Sequence, residues 1–247
     1  MEKLTILGSA NAVPKVGQDN THMVIRANEK LIMIDCGDNP IARMAEAGFS
    51  ILETTDLVLT HFHADHVGSL PMLLMGMWLE KRQAPLTIHG LSVTIEKAQQ
   101  LLDLFSWRNW TNMFPVTFNC IADAGVEGFI TGEGIRFTAL PVTHLIPTLG
   151  LRMEFPSGRV IAYTCDSEPC ENVDKLAKGV HVLLHEAAGA AKGHSSPAQA
   201  GETAEKARVK QLILIHYENR VDEETLLSAA KGNFSGEVLL AKDMMVL

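Results

Sequence analysis

Residues 60–69 read THFHADHVGS, and they follow the apolar run DLVLT of residues 56–60 without a break. Three histidines and an aspartate therefore fall within six positions, as His61-x-His63-x-Asp65-His66. One bland reading makes them surface residues of a polar loop. What argues against it is repetition elsewhere. FTALPVT runs into His144, RVIAYTC into Asp166 and QLILI into His216, so each apolar run delivers a metal-ligand residue type just past its end. In open α/β sheets, ligands bind at the carboxyl ends of the strands. Two imidazoles two residues apart on an extended segment point the same way. Asp65 and His66 can then turn toward a neighbouring point, which suits two metal ions rather than one. Imidazole and carboxylate donors without a thiolate fit catalytic zinc, with manganese or iron(II) as alternatives.

Working outward, KLTILG, HMVIRA and KLIMIDCG are expected strands, with a short helix over 40–48 between Pro40 and Gly48. Residues 70–82 carry Met and Leu at helical spacing and predict a core-facing helix. PLTIHG is a strand, 92–105 a helix, and WRNWTNMF has no clear element. The second half repeats the rhythm: strands IRFTALPVTH, LGLRMEF, RVIAYTCDS, VHVLLHEA and QLILIHY, with helices CENVDKLAKG and SPAQAGETAEKARV among them. Strands alternating with helices predict an α/β protein with helices outside and sheet inside.

The 247 residues are expected to form one domain, 1–247, with no linker or low-complexity tract. A net charge of −8 disfavours a general nucleic-acid binder, which needs basic groups against phosphates. No run approaches the ~18 apolar residues of a membrane span, and MEKLTILGSA lacks a signal-peptide core. Cys36, Cys120, Cys165 and Cys170 form no CxxC pair, so we expect reduced thiols and a cytoplasmic protein. His22, His89 and His181 are expected to be structural, His22 in DNTHM being the nearest to an exception.

Taken together, Asp35 in IDCG, THFHADH, PVTH, TCDS and IHY resemble the metallo-β-lactamase superfamily from residue 1 to about residue 220. The resemblance implies a four-layer αββα sandwich, an α/β fold that some schemes class as α+β. It implies that His61, His63 and His144 hold one metal, that Asp65, His66 and His216 hold the other, and that Asp166 bridges them. His63, where redox diiron relatives carry Glu, points to hydrolysis. HLIPTLGLRMEF, the TCDS-to-HEA stretch and GHSSPAQAGETAEKARVKQLILIHYENR are similar to the ribonuclease Z-like branch. That similarity implies that Glu186 and His194 sit near the metals as catalytic residues beside Asp65. A metal-bridging hydroxide would then attack phosphorus while His194 protonates the leaving oxygen. Asp35 and Glu186 are candidate partners for the far nitrogens of ligand histidines.

Departures from the branch shape the expected substrate. Only 21 residues separate His144 from Asp166, where ribonuclease Z carries a tRNA-gripping arm. The expectation is a metal-dependent phosphodiesterase for a small diester or cyclic nucleotide, with RNA as the less favoured partner. The alternatives are a tRNA 3′-processing endoribonuclease, a sulfate-ester or lactone hydrolase and, from another class, a non-catalytic metal-binding module. The small-molecule reading expects a closed pocket lined by Trp107, Trp110 and Phe114. The Met/Leu-rich stretch 70–79 is the candidate contact face of a homodimer.

Overall fold

The alternation of side chains along the strands sets the architecture. In β3 (Lys30–Ile34), Ile32 and Ile34 point into one apolar cluster while Leu31 and Met33 point into another. A strand buried on both faces has to be covered on both. A computed structural model describes residues 2–132 and 135–247 and shows how this is done. β1 (Glu2–Gly8), β2 (His22–Ala27), β3, β4 (Asp56–Val58), β5 (Leu86–Leu91) and β6 (Val116–Ile121) form one sheet in that order. β7 (Val126–Gly132), β8 (Ile135–Val142), β9 (Thr148–Glu154), β10 (Val160–Tyr163), β11 (Val182–Glu186), β12 (Gln211–Ile215) and β13 (Glu237–Leu240) form the other. The sheets face each other across Ile32, Ile34, Phe137, Leu151, Tyr163, Ile213 and Ile215.

Each outer face is covered by helices. α1 (Pro40–Glu46), the single turn α2 (Ala64–Val67), α3 (Leu70–Leu79) and α4 (Ser92–Leu104) lie on the first sheet, with Met44, Val67, Leu73, Met77 and Ala98 buried there. α5 (Glu171–Ala177), α6 (Pro197–Ala207) and α7 (Glu223–Lys231) lie on the second through Leu176, Ala200, Ala204 and Leu226. The fold is therefore the expected αββα sandwich. Local signals set the helix ends. Asn39 caps α1 and accepts from the Ala42 amide, with Pro40 in the first turn. Ser196 and Gln199 form a reciprocal capping box on α6.

Some elements differ from expectation. α3 stops at Leu79, three residues short of the predicted end, and Lys81 takes a positive φ of 60°. Trp107 and Phe114 do not line a closed pocket. They are buried in the outer core, and Trp110 stacks on Trp78 at 5.3 Å. β6, β7, α7 and β13 were not anticipated.

Topology gathers the strand ends. β8 is antiparallel to β9, and β9 to β10, so β8 and β10 run the same way. β10, β11 and β12 are parallel to one another. The C-terminal ends of β8, β10 and β12 thus share one edge. The first sheet reaches the same edge, because the Leu149 amide at the start of β9 donates to Thr60 O just beyond β4.

Candidate metal centre

The loop after β4 is shaped by close backbone packing. The Cys36 amide donates to His66 O at 2.7 Å, and the Asp35 amide to Val58 O at 2.9 Å. A Cβ on Gly37 would sit 1.8 Å from Asp65 O, so only glycine lets the two loops approach this closely. Asp35, Cys165 and His216 all adopt positive φ, between 53° and 60°, without being glycine. Such strain is held in place by its surroundings and clusters at functional sites. The His216 amide donates to Ser9 O, and Ala10 bridges Tyr217, so the segment after β1 pins this turn.

Three imidazole nitrogens converge: His63 Nδ1 lies 3.1 Å from both His61 Nε2 and His144 Nε2. Asp166 Oδ2 is 3.9 Å from each of the latter two and 3.3 Å from His216 Nε2. His66 Nε2 lies 3.6 Å from Asp166 Oδ1 and 3.5 Å from Asp65 Oδ2, and His216 Nε2 is 3.9 Å from Asp65 Oδ2. Two imidazole–carboxylate donor groups result, His61/His63/His144/Asp166 and Asp65/His66/His216, and the two oxygens of Asp166 face both; Cys165 lies with His61 and His66 in a third cluster. The structure thus brings all seven of the expected ligands together.

The donor set fits divalent cations. His66 Nε2 and Asp166 Oδ1 are buried and have no hydrogen-bond partner, although burying such atoms unpaired is costly. Converging imidazole nitrogens repel unless a cation lies between them. Tetrahedral zinc with Zn–N bonds of 2.0–2.1 Å spaces its donors by roughly 3.3 Å, close to the contacts observed. Against a burial that would raise it, His216 and His66 hold Asp166 well below the usual carboxylate range.

The groups behind the donors fix their orientation. Asp35 Oδ2 lies 2.8 Å from His66 Nδ1, while its Oδ1 accepts from the Thr60 amide. Gly193 O accepts from His144 Nδ1 at 2.6 Å. His61 Nδ1 rests against Thr60 Oγ1 at 3.1 Å and Cys165 Sγ at 3.5 Å. Cys165 was not expected here. It lies buried under the site, where burial raises its thiol pKa, and it takes a positive φ there. Glu186 was a candidate partner for a ligand histidine, but the structure places it on His194 instead, with Oε1 3.1 Å from His194 Nδ1. Burial pushes Glu186 up to about 7 even though His194 and the Ala188 amide pull it down. His194 is raised in turn, first through its hydrogen bond to Glu186. The His194 ring lies between two of the donors, edge-on to His144 at 4.9 Å and parallel to His216 at 6.1 Å.

The other histidines stay apart from both donor groups. His22 and His185 are fully buried, which pushes each down to about 4. His89 pairs with Asp56, and His181 Nδ1 accepts from the Val160 amide. No described helix is long and apolar enough to cross a membrane.

Comparison with known proteins fits this geometry. The family described as "Anti-Pycsar protein Apyc1" matches residues 2–236. A protein of Mycobacterium sp. (strain KMS) named Ribonuclease Z is 31% identical over 242 residues, covering 88% of this chain and 84% of that one. A Ribonuclease Z of Methanothermobacter thermautotrophicus is 26% identical over 291 aligned positions, 95% of this chain and 92% of the relative. Among solved structures, the metallo-β-lactamase fold protein YhfI of Bacillus subtilis superposes with a TM-score of 0.86 at 21% identity, covering 100% of this chain and 98% of YhfI.

Proposed function

The chain belongs to the anti-Pycsar protein Apyc1 family, within the ribonuclease Z-like branch of the metallo-β-lactamase superfamily, and from that premise we propose that it is a two-metal phosphodiesterase acting on a small diester. It is a metal-dependent hydrolase of ester bonds. The observation that carries the finer reading is the pair of donor groups sharing Asp166, with the Glu186–His194 couple set against them. His61, His63 and His144 would hold one cation and Asp65, His66 and His216 the other, zinc by donor chemistry. Two such cations, when bound, acidify the attacking water and offset charge on the phosphoryl oxygens.

The chain's own residues supply the rest. Asp65 is less enclosed than Asp166, with 13% of its side chain exposed against 3%. It is placed to orient the attacking water as well as to ligate. His194 donates a proton to the leaving oxygen, and Glu186 keeps that imidazole charged and aimed. The absence of an arm at the usual place favours a small diester such as a cyclic nucleotide over RNA. Residues 145–165 are taken up by β9, β10 and their connections. Transfer-RNA processing is the second reading, favoured by the relatives' name. We further propose a single domain, a cytoplasmic location and a homodimer joined through α3.

The test is turnover of bis(p-nitrophenyl) phosphate by protein with quantified metal, beside Asp65→Ala. About two metals per chain, with turnover lost in the variant, supports the proposal; cyclic nucleotides and precursor tRNA then separate its two substrate readings. Fully metallated protein that leaves the diester intact removes it.

A further inference from the structure

The loop of residues 188–193, AGAAKG, leads into His194 and has almost no side chain with which to anchor itself. Its side chains are alanines, glycines and one exposed lysine. Yet it supplies the carbonyl that orients His144 and determines where His194 begins. Its own bonds, Ala188 N–H to Glu186 Oε2, Gly189 N–H to Ser195 O and His194 N–H to Ala191 O, hold its two ends but leave the Gly193 N–H to be met from outside.

The holding group is a carboxylate from the segment after β10. Glu168 Oε1 accepts from the Gly193 amide at 2.7 Å. The Gly193 carbonyl then accepts from His144 Nδ1 at 2.6 Å. The backbone of Glu168 also takes part, since its amide donates to Thr143 O at 2.8 Å in an isolated antiparallel bridge. Glu168 therefore lies two residues after Asp166 and grips the residue before His144 with its backbone. With its side chain it grips the residue before His194. Gly193 suits this clamp. Its φ is +86°, and a Cβ there would approach His144 Nδ1 to 2.9 Å.

We propose that Glu168 is a positioning residue that, by holding the backbone of Gly193, fixes the His144 tautomer and the place of His194. The chain of bonds leaves the His144 proton on Nδ1 and its Nε2 lone pair facing His61, His63 and Asp166. The inference rests on reading His144 as a ligand and His194 as the acid. It predicts that the oxygen acceptor at position 168 matters and that its charge does not. Removing a group that orients a ligand histidine typically costs about 10–100-fold in metal affinity.

The experiment compares Glu168→Ala, Glu168→Gln and Glu168→Asp. Zinc affinity is read by competition with a chromophoric chelator, and kcat and KM on bis(p-nitrophenyl) phosphate are read separately. Glu168→Ala should bind the zinc of the His61/His63/His144 group about tenfold less tightly and lose kcat with KM little changed. Glu168→Gln keeps an oxygen to accept the Gly193 N–H and should restore both. Glu168→Asp keeps the charge but falls one methylene short, so it should resemble Glu168→Ala; it stands in if the alanine variant does not fold. Wild-type zinc affinity in Glu168→Ala or Glu168→Asp overturns the proposal. So does a glutamine variant as impaired as alanine, which would show that the charge itself acts. The competition needs no substrate, so it tests the clamp even if the diester proves inert.

Discussion

At the residue scale, His194 is the side chain whose chemistry the structure separates best from metal ligation. It is half-buried, hydrogen-bonded to a fully buried glutamate, edge-on to His144 and stacked parallel to His216. An acid of this kind matters only when the leaving oxygen needs a proton. p-Nitrophenolate leaves without one, whereas the alkoxide of a sugar does not. His194→Ala should therefore lower kcat on an alkyl or ribose diester by about 10²–10⁴-fold and on bis(p-nitrophenyl) phosphate far less. Equal losses on both substrates would place His194 in metal or substrate binding. The ligand types were legible in sequence because each follows an apolar run that ends abruptly. The Gly193 carbonyl, the Glu168 clamp and the Cys165 contact were not. They act through backbone atoms or a turn conformation, which no side-chain spacing records.

At the scale of elements, strands buried on both faces were read correctly from their apolar runs. β6, with a single buried residue, Ile121, was missed. Past residue 220 the resemblance ended, and α7 and β13 went with it. The parallel junction of β4 and β5 also holds a polar device that apolar patterning hides. Asp56 Oδ1 lies 2.9 Å from His89 Nε2, and its Oδ2 accepts from Lys30 Nζ on β3 at 2.9 Å. Burial would raise Asp56, but His89 and Lys30 outweigh it and lower the group from 3.8 to about 2. A carboxylate depressed in the folded state contributes stability that is present above 3.8 and is lost as the pH falls toward 2. Urea denaturation at stepped pH should show wild type losing stability across that interval faster than Asp56→Asn. The metal-site residues are the same in both proteins, so their contribution cancels and the difference isolates Asp56. Parallel curves would remove this role.

At the scale of the whole molecule, α3 has no charged residue on any side. A helix apolar all round is expected to be covered all round. Leu70, Leu73, Leu74 and Met77 face the core, but Met72 is 57% and Leu79 62% exposed. Leu104 and Phe105, at the end of α4, are exposed in the same helical layer. A stable homodimer buries about 800 Å² per partner, more than α3 alone can offer, so the proposed interface has to extend beyond it. Sedimentation should find the wild type dimeric and Met72→Glu/Leu79→Lys monomeric, with unchanged circular dichroism. A monomeric wild type would remove the homodimer from the proposal.

The two sheets are drawn from successive halves of the chain, β1 to β6 and then β7 to β13. The donors divide the same way: His61, His63, Asp65 and His66 come before the crossover, and His144, Asp166 and His216 after it. Each donor group therefore spans both halves. Residues 244–247 lace back in the same sense, pairing with Leu4 and Ile6 at the edge of the first sheet. A cation bound at either group is a cross-link formed only once the halves have docked. It has no complete set of partners in either half alone, so it stabilises the assembled sandwich in proportion to the logarithm of its free concentration. Scarcity of metal would then loosen the seam between the sheets as well as silence the chemistry at its edge.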